Sequence, residues 1–448
     1  MAKVRRRLIS SKKPIATYLK KSAKIGNFLT FAPNSCIAMF KSVKNKFFRS
    51  LLIVLVVFFG LCLGFFLLAY LSVPAYKFKD PRPFGGDYLY NPYQDMNPDQ
   101  WKKYHFHCHS RKYFGLTNGR HSTETAIDSL YQTLGYDHYG ISDYMSINPH
   151  GVESEGYIPA YEHGYGLLRK THQICIGAEK VWRIDYPFMQ NLNMKQHAIN
   201  KLGERCRFVM PAHASFTQGY KVGDMKWLSN YRLLEIMNPF GNALEHWDMA
   251  LSNGHRVYGL GDDDTHNIRN IREVGRNLTM INTPDLDPEN VYEALEKGNS
   301  YTVEFVSFFC FPMSLEEKIH EVGNLAHLTR AELVGDTLFI ATSAERMHEV
   351  SFIGQGGKAL KTVENVPEAF YVIHPEDTYV RTRIDLNERN VLYLNPVTRH
   401  PTPIVVDRRL DEINEAQTWL YRLVYVVAFL AMVWYLFKKA KERKEAKP

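Results

Sequence analysis

LLEIMN (233–238), ALEHWDMALSNG (243–254) and VYGLGDD (257–263) are, in turn, an apolar run ending in a polar residue, a segment with apolar positions at helical spacing, and a second apolar run ending in acids. Short apolar runs without alternation fit strands buried on both faces, and a helix between two of them makes a strand–helix–strand unit. The same grammar recurs upstream. ETAIDSLYQTLGY (124–136) precedes HYGIS (138–142), and NMKQHAINKLGER (193–205) lies between ICIGAE (174–179) and RFVMPAH (207–213). Such units predict an α/β fold with a parallel sheet or barrel, whose chemistry gathers at the C-terminal ends of the strands.

Working outward, the period changes near residue 305. TLFIATS, EVSFIGQGG, AFYVIH, TYVRTRIDL and NVLYLNPV read as strands with turns between them, which predicts a small all-β, sandwich-like domain over 306–415. Residues 51–73 are 23 uncharged, mostly apolar residues, longer than the ~30 Å of hydrocarbon a helix must cross. A second such run covers 418–437 and contains Arg422, with Trp419, Tyr421, Trp434 and Tyr435 suited to interfaces. Both are expected to be transmembrane helices. The expected organisation is therefore a basic segment 1–50, a span 51–73, a turn-rich linker 74–99, an α/β domain 100–305, the β domain 306–415, a span 418–437 and a basic tail 438–448.

Charge is unevenly spread. Residues 1–50 carry 13 Lys and Arg and no acid, and six more basic residues follow from Lys438, while 74–417 holds 35 basic against 45 acidic side chains. Basic flanks on both spans place both termini in the cytoplasm and residues 74–417 outside a bacterial cytoplasmic membrane. The acidic middle excludes a nucleic-acid surface there. No Cys-x-x-Cys pair occurs among the six cysteines, so a thiolate zinc site is not expected and buried free thiols are.

Thirteen of the 18 histidines lie between His105 and His266. His105, His107 and His109 alternate in YHFHCHS, and on an extended segment alternate side chains share a face, so a metal can collect them. Asp143 ends HYGISD, Glu179 ends ICIGAE, His213 ends VMPAH, and Asp264 and His266 follow GLGDD. Each alone is as readily a cap or a surface group. Together they form a series of possible ligands at strand ends.

The order His-x-His, Ser-Asp, Gly-x-Glu, Ala-His, Asp-x-His resembles the PHP (polymerase and histidinol phosphatase) domain over residues 100–305, and EALEKGNSYTVEF resembles its closing helix and last strand. The resemblance implies a distorted (β/α)7, TIM-like barrel with two, possibly three, divalent ions (Mn2+, Zn2+ or Fe2+). It implies ligands His107, His109, Glu179 as the bridge, His213, Asp264 and His266, with His105 and Asp143 as further candidates and His197 standing for a histidine that has no clear counterpart. Glu235, in LLEIMN, is expected to support the site, and Asp143, Glu179 and Glu235 are the expected catalytic carboxylates. Tyr144 stands where the family has a histidine, which puts the third ion in doubt.

The function expected is hydrolysis of a phosphate ester, on a lipid headgroup or a small phosphorylated molecule, by a hydroxide held between two ions. Arg120, Lys180, Arg269 and Arg272 lie near the motifs and are the candidate phosphate-binding cations. Two other readings stay open: a metal-dependent hydrolase of amides or cyclic esters, and a non-catalytic envelope receptor or assembly protein on a degenerate barrel.

Overall fold

The computed structural model describes residues 34–115, 117, 119–306, 313–405 and 410–445. The chain divides into two compact units, 1–68 and 69–448. In the first, the described residues belong to the helix Asn34–Ser72, whose stretch Phe47–Ser72 has a mean hydropathy of 3.1. The helix Glu415–Glu445 closes the second unit, and its stretch Glu415–Lys439 has a mean hydropathy of 1.9. Neither stretch is buried, and both are long and apolar enough to cross a membrane. Arg422 is turned toward one end of its helix, where Nε donates to the carbonyl of Leu71 at 3.1 Å and the guanidinium lies over Trp419.

The remainder is mixed α/β, and the strands among the described residues make five sheets and no closed ring. Parallel pairing joins Leu233–Met237 to Tyr258–Gly261, with the helix Leu244–Ser252 crossing between them, and Trp101–His105 to His138–Tyr139, after the helix Glu124–Thr133. These are the strand–helix–strand units expected from the sequence. The barrel fails at Ala160–His163, Gln173–Ala178 and Cys206–Pro211, which form an antiparallel sheet of three. Parallel neighbours need a crossover of a dozen or more residues, but only 164–172 separate the first two strands and no helix lies there, so the chain turns back.

The largest sheet has ten strands and runs through both halves of the sequence. Lys358–Val366, Met347–Gly354, Tyr379–Asp385, Asn390–Leu394, Ser300–Phe305, Asn277–Asn282, Trp101–His105 and His138–Tyr139 lie side by side in that order, and Val397–His400, paired with Tyr379–Asp385, and Tyr88–Tyr90, paired with Val397–His400, branch from it. The junction is the antiparallel pair Ser300–Phe305 and Asn390–Leu394, with Tyr301 opposite Leu394 and Phe305 opposite Asn390. The change of period near residue 305 therefore marks a change of pattern inside one sheet. A smaller sheet, Leu328–Val334, Thr337–Thr342 and Glu368–Val372, faces this one across a core that includes Leu338, Ile340, Val350, Phe352 and Ile384, a sandwich-like arrangement. That half is not all β, because Ser314 and Glu317 form a capping box that starts the helix Leu315–Gly323.

A buried ion pair fastens the helix Leu244–Ser252 to this half. Arg381 donates from Nε and Nη2 to the two oxygens of Asp248, each at 2.7 Å, and the Tyr379 hydroxyl donates to Asp248 at 3.0 Å. Near the apolar helices, Tyr76–Phe78 pairs with Asp411–Ile413 in a two-stranded stem. Cys62, Cys108, Cys175 and Cys206 are free thiols, two of them buried; Cys36 and Cys310 lie outside the residues whose side chains are described.

Candidate metal centre

The strand Trp101–His105 runs on as extended chain that carries His107 and His109 into the interior. The next contributors arrive from other strands: Glu162 within Ala160–His163, His213 after Cys206–Pro211, and Asp264 after Tyr258–Gly261. All five side chains are buried. His213 and Asp264 hold φ of +31° and +47°, a strained conformation for residues with a Cβ, which aims their side chains inward.

His107 Nε2 and His109 Nε2 lie 3.3 Å apart. Asp264 Oδ1 is 3.1 Å from the first and 3.2 Å from the second. Glu162 Oε2 is 3.6 Å and 3.1 Å from the same two nitrogens, while its Oε1 lies 3.2 Å from His213 Nε2 and 2.5 Å from His172 Nδ1. Two groups, His107–Glu162–His213 and His107–His109–Asp264, keep their ligand atoms within 4.8 Å of one another.

These separations fit a metal. Ligand atoms at the ~2.1 Å bond length of a tetrahedral N/O site stand roughly 3.4 Å apart. Glu162 Oε2, Asp264 Oδ1 and the Nδ1 atoms of His109 and His213 are buried without a hydrogen bond, a costly condition that a cation at the first two would relieve. The electrostatics agree. Burial opposes the charge on Glu162 and Asp264, but the imidazoles around them hold both carboxyls well below the usual range. Burial likewise opposes a charge on His107, His109 and His213, yet the same acids raise all three, His109 to about 9. The acids thus demand positive charge at this point, and a metal would compete with protons for it.

Around the cluster stand supporting groups. Glu235 accepts from His107 Nδ1 at 2.9 Å and from the backbone N–H of His213 at 2.5 Å, which fixes the ring that faces the cluster. Asp143 accepts from the Ser110 N–H, the Ser110 hydroxyl and the Asn148 amide, each at 2.8 Å. It holds the loop after His109 and does not reach the cluster. His266 donates from Nδ1 to the Asp264 carbonyl at 2.9 Å and accepts from the Tyr144 hydroxyl at Nε2 at 3.2 Å. Burial lowers its pKa to about 4, and Tyr144 stacks on His109 with ring centres 4.4 Å apart.

Besides Asp143, four expected or candidate ligands stand outside the cluster. Glu179 is exposed, because Gln173–Ala178 runs antiparallel to its neighbours: Ile174 lies opposite Glu162, so Glu179 ends up about 17 Å along the strand from the cluster. His105 turns to the Asp263 backbone N–H, which it accepts at 3.0 Å, and burial lowers its pKa well below the usual imidazole value. His197 lies on the helix Leu192–Gly203 beside Trp182, Tyr186 and the Tyr76 hydroxyl, 3.2 Å from its Nδ1. His172 and Glu162 stand at the cluster where His197 and Glu179 were expected. His266, with both ring nitrogens engaged, flanks the cluster instead of joining it. Arg120, Lys180, Arg269 and Arg272 are all exposed.

No protein-family model matches the chain, and no curated protein matches it. Among solved structures it is similar to the crystal structure of a two-domain protein containing a predicted PHP-like metal-dependent phosphoesterase from Bacteroides vulgatus, with 12% identity, 76% of this chain and 99% of that chain covered, and a TM-score of 0.34. A likeness that distant carries no argument about chemistry.

Proposed function

We propose that the chain is a membrane-anchored, metal-dependent phosphoesterase whose compact part lies outside a bacterial cytoplasmic membrane. The observation that carries this reading is the convergence of His107, His109, Glu162, His213 and Asp264 on buried carboxylate oxygens that have no hydrogen-bond donor. His107, His109 and Asp264 would hold one ion, and Glu162 and His213, grouped with the same His107, a second, with His172 against the Glu162 carboxylate. Tyr144 and His266, bonded to each other, leave no ligand for a third. Divalent ions, when bound, supply a water acidic enough to lose its proton near neutral pH and positive charge for a phosphoryl oxygen. The chain's own part is to keep the ligands in register: Glu235 orients His107, Asp143 fixes the Ser110 loop, and Tyr144 covers the face of His109.

Two helices able to cross a membrane, both with basic outer flanks, support the anchoring and its direction. The test uses the full chain purified in detergent. Elemental analysis should find divalent metal, and the Mn2+, Zn2+ or Fe2+ form should hydrolyse 4-nitrophenyl phosphate or its bis ester. Absence of metal binding defeats the proposal, and metal without turnover of either ester replaces it with the receptor reading. Protease added to intact spheroplasts should cut within 74–417; protection there reverses the topology.

A further inference from the structure

At the opposite ends of the same strands lies a cavity of about 570 Å³ that the metal chemistry does not use. Arg207 is the second residue of Cys206–Pro211, Arg232 precedes Leu233–Met237 and Arg256 precedes Tyr258–Gly261, and all three line it together with Arg82, Arg399 and Glu296. Arg232 and Asn238, which touches Asp264, are six residues apart on extended chain, so the cavity and the metal centre are separated by about 20 Å. Among the described lining residues are five guanidiniums and a single carboxylate, and Arg232 engages that carboxylate at 2.7 Å. This concentration of positive charge sits in a part of the chain that is acidic overall.

Arg399 is the telling member. It is 8% exposed, and its guanidinium donates to the backbone carbonyls of Asp377 at 2.9 Å, His374 at 2.8 Å and Gly86 at 3.4 Å. Neutral carbonyls orient this charge without balancing it, and a buried charge of this kind favours an anion beside it. Two glycines shape the wall. A Cβ on Gly254 (φ +79°) would meet the carbonyl oxygen of Arg82, and one on Gly86 (φ +122°) that of His400. Only glycine lets the 82–86 segment close against these neighbours.

We propose that this cavity binds a phosphate-bearing anion of two or more charges, held by Arg82, Arg207 and Arg399. Its volume suits a headgroup or a small metabolite and excludes a polymer, and guanidiniums are matched to phosphate oxygens in bidentate pairs. The wall also connects to the stem: the hydroxyl of Ser229, a lining residue, lies 3.4 Å from the Leu410 N–H and 3.3 Å from Asp411. Phosphate can therefore come from a lipid headgroup or from solution, and neither source depends on the metal centre.

The experiment titrates the detergent-purified full chain, in metal-free buffer, with inorganic pyrophosphate and separately with dihexanoyl phosphatidic acid below its micelle concentration. At least one should bind, and Arg82→Gln/Arg207→Gln, both at exposed positions, should weaken it tenfold or more at an unchanged melting temperature. Arg207→Gln alone gives the same reading if the pair expresses poorly. Preference for the lipid probe identifies a headgroup, and preference for pyrophosphate a soluble anion. Binding of neither probe below ~1 mM, or equal binding to wild type and variants, overturns the proposal.

Discussion

Replacing Glu235 by Gln tests whether the centre is a metal site held by an outer carboxylate. Glu235 accepts two donors with two oxygens, His107 Nδ1 at 2.9 Å and the His213 N–H at 2.5 Å. Glutamine offers one acceptor oxygen, so one donor loses its partner and the His107 ring loses the charge that makes its other nitrogen a better ligand. Loss of such a partner costs 10- to 100-fold in metal affinity, or about 1.4–2.7 kcal/mol. One neighbour reduces this. Asp262 is raised to about 8 by burial and by the charge of Glu235, and removing that charge lets Asp262 ionise at lower pH and restore part of the negative field. The expected loss is therefore nearer tenfold, measured by competition with a chromogenic chelator on the purified chain. An affinity within threefold of wild type refutes the supporting role. Complete loss of metal refutes it in the other direction, since Glu235 would then be a ligand itself.

Glu162→Gln should abolish phosphoesterase turnover while Glu179→Gln, at an exposed position, keeps it within about twofold; equal losses would return the bridging role to Glu179. His109→Ala or Asp264→Ala should cut kcat more than tenfold, above ~1.4 kcal/mol, with expression retained; smaller losses contradict the ligand assignment. Asp248→Ala leaves the buried Arg381 guanidinium without its carboxylate and should destabilise the fold by about 3–5 kcal/mol in chemical denaturation; a loss under about 1 kcal/mol would show the pair is solvated. Burial holds Lys318, next to the carbonyls of Ile271 and Val274, down to about 8. The folded chain then binds fewer protons than the unfolded one between that value and the ordinary lysine pKa, so this group adds stability as pH rises through the interval. Lys318→Met should flatten the slope, read as melting temperature against pH.

The strand–helix–strand units were legible because buried strands and amphipathic helices differ in period, and 233–263 folds as its pattern indicates. His107, His109, His213 and Asp264 were legible as polar residues just beyond apolar strands. Strand direction was not. The same rule assigned Glu179 to the site, and pairing in the opposite sense carried it away from the cluster and left His172, just before that strand, beside Glu162. Glu162 left a fainter trace, since Ala-Tyr-Glu-His is too short to show a period and its acid lies within the strand. The ten-stranded sheet was hidden for a related reason: Ser300–Phe305 and Asn390–Leu394 meet over some ninety residues, and register at that range depends on packing that local pattern does not encode.

The stem of Tyr76–Phe78 and Asp411–Ile413 has a mechanical consequence. Its antiparallel rungs join the segment that follows one apolar helix to the segment that precedes the other, so the two segments leave the folded body as one doubled stalk. A stalk of this kind resists swivelling about either strand. Loosening either strand of the pair therefore releases the other, and the two crossings of the chain at this edge of the body give way together.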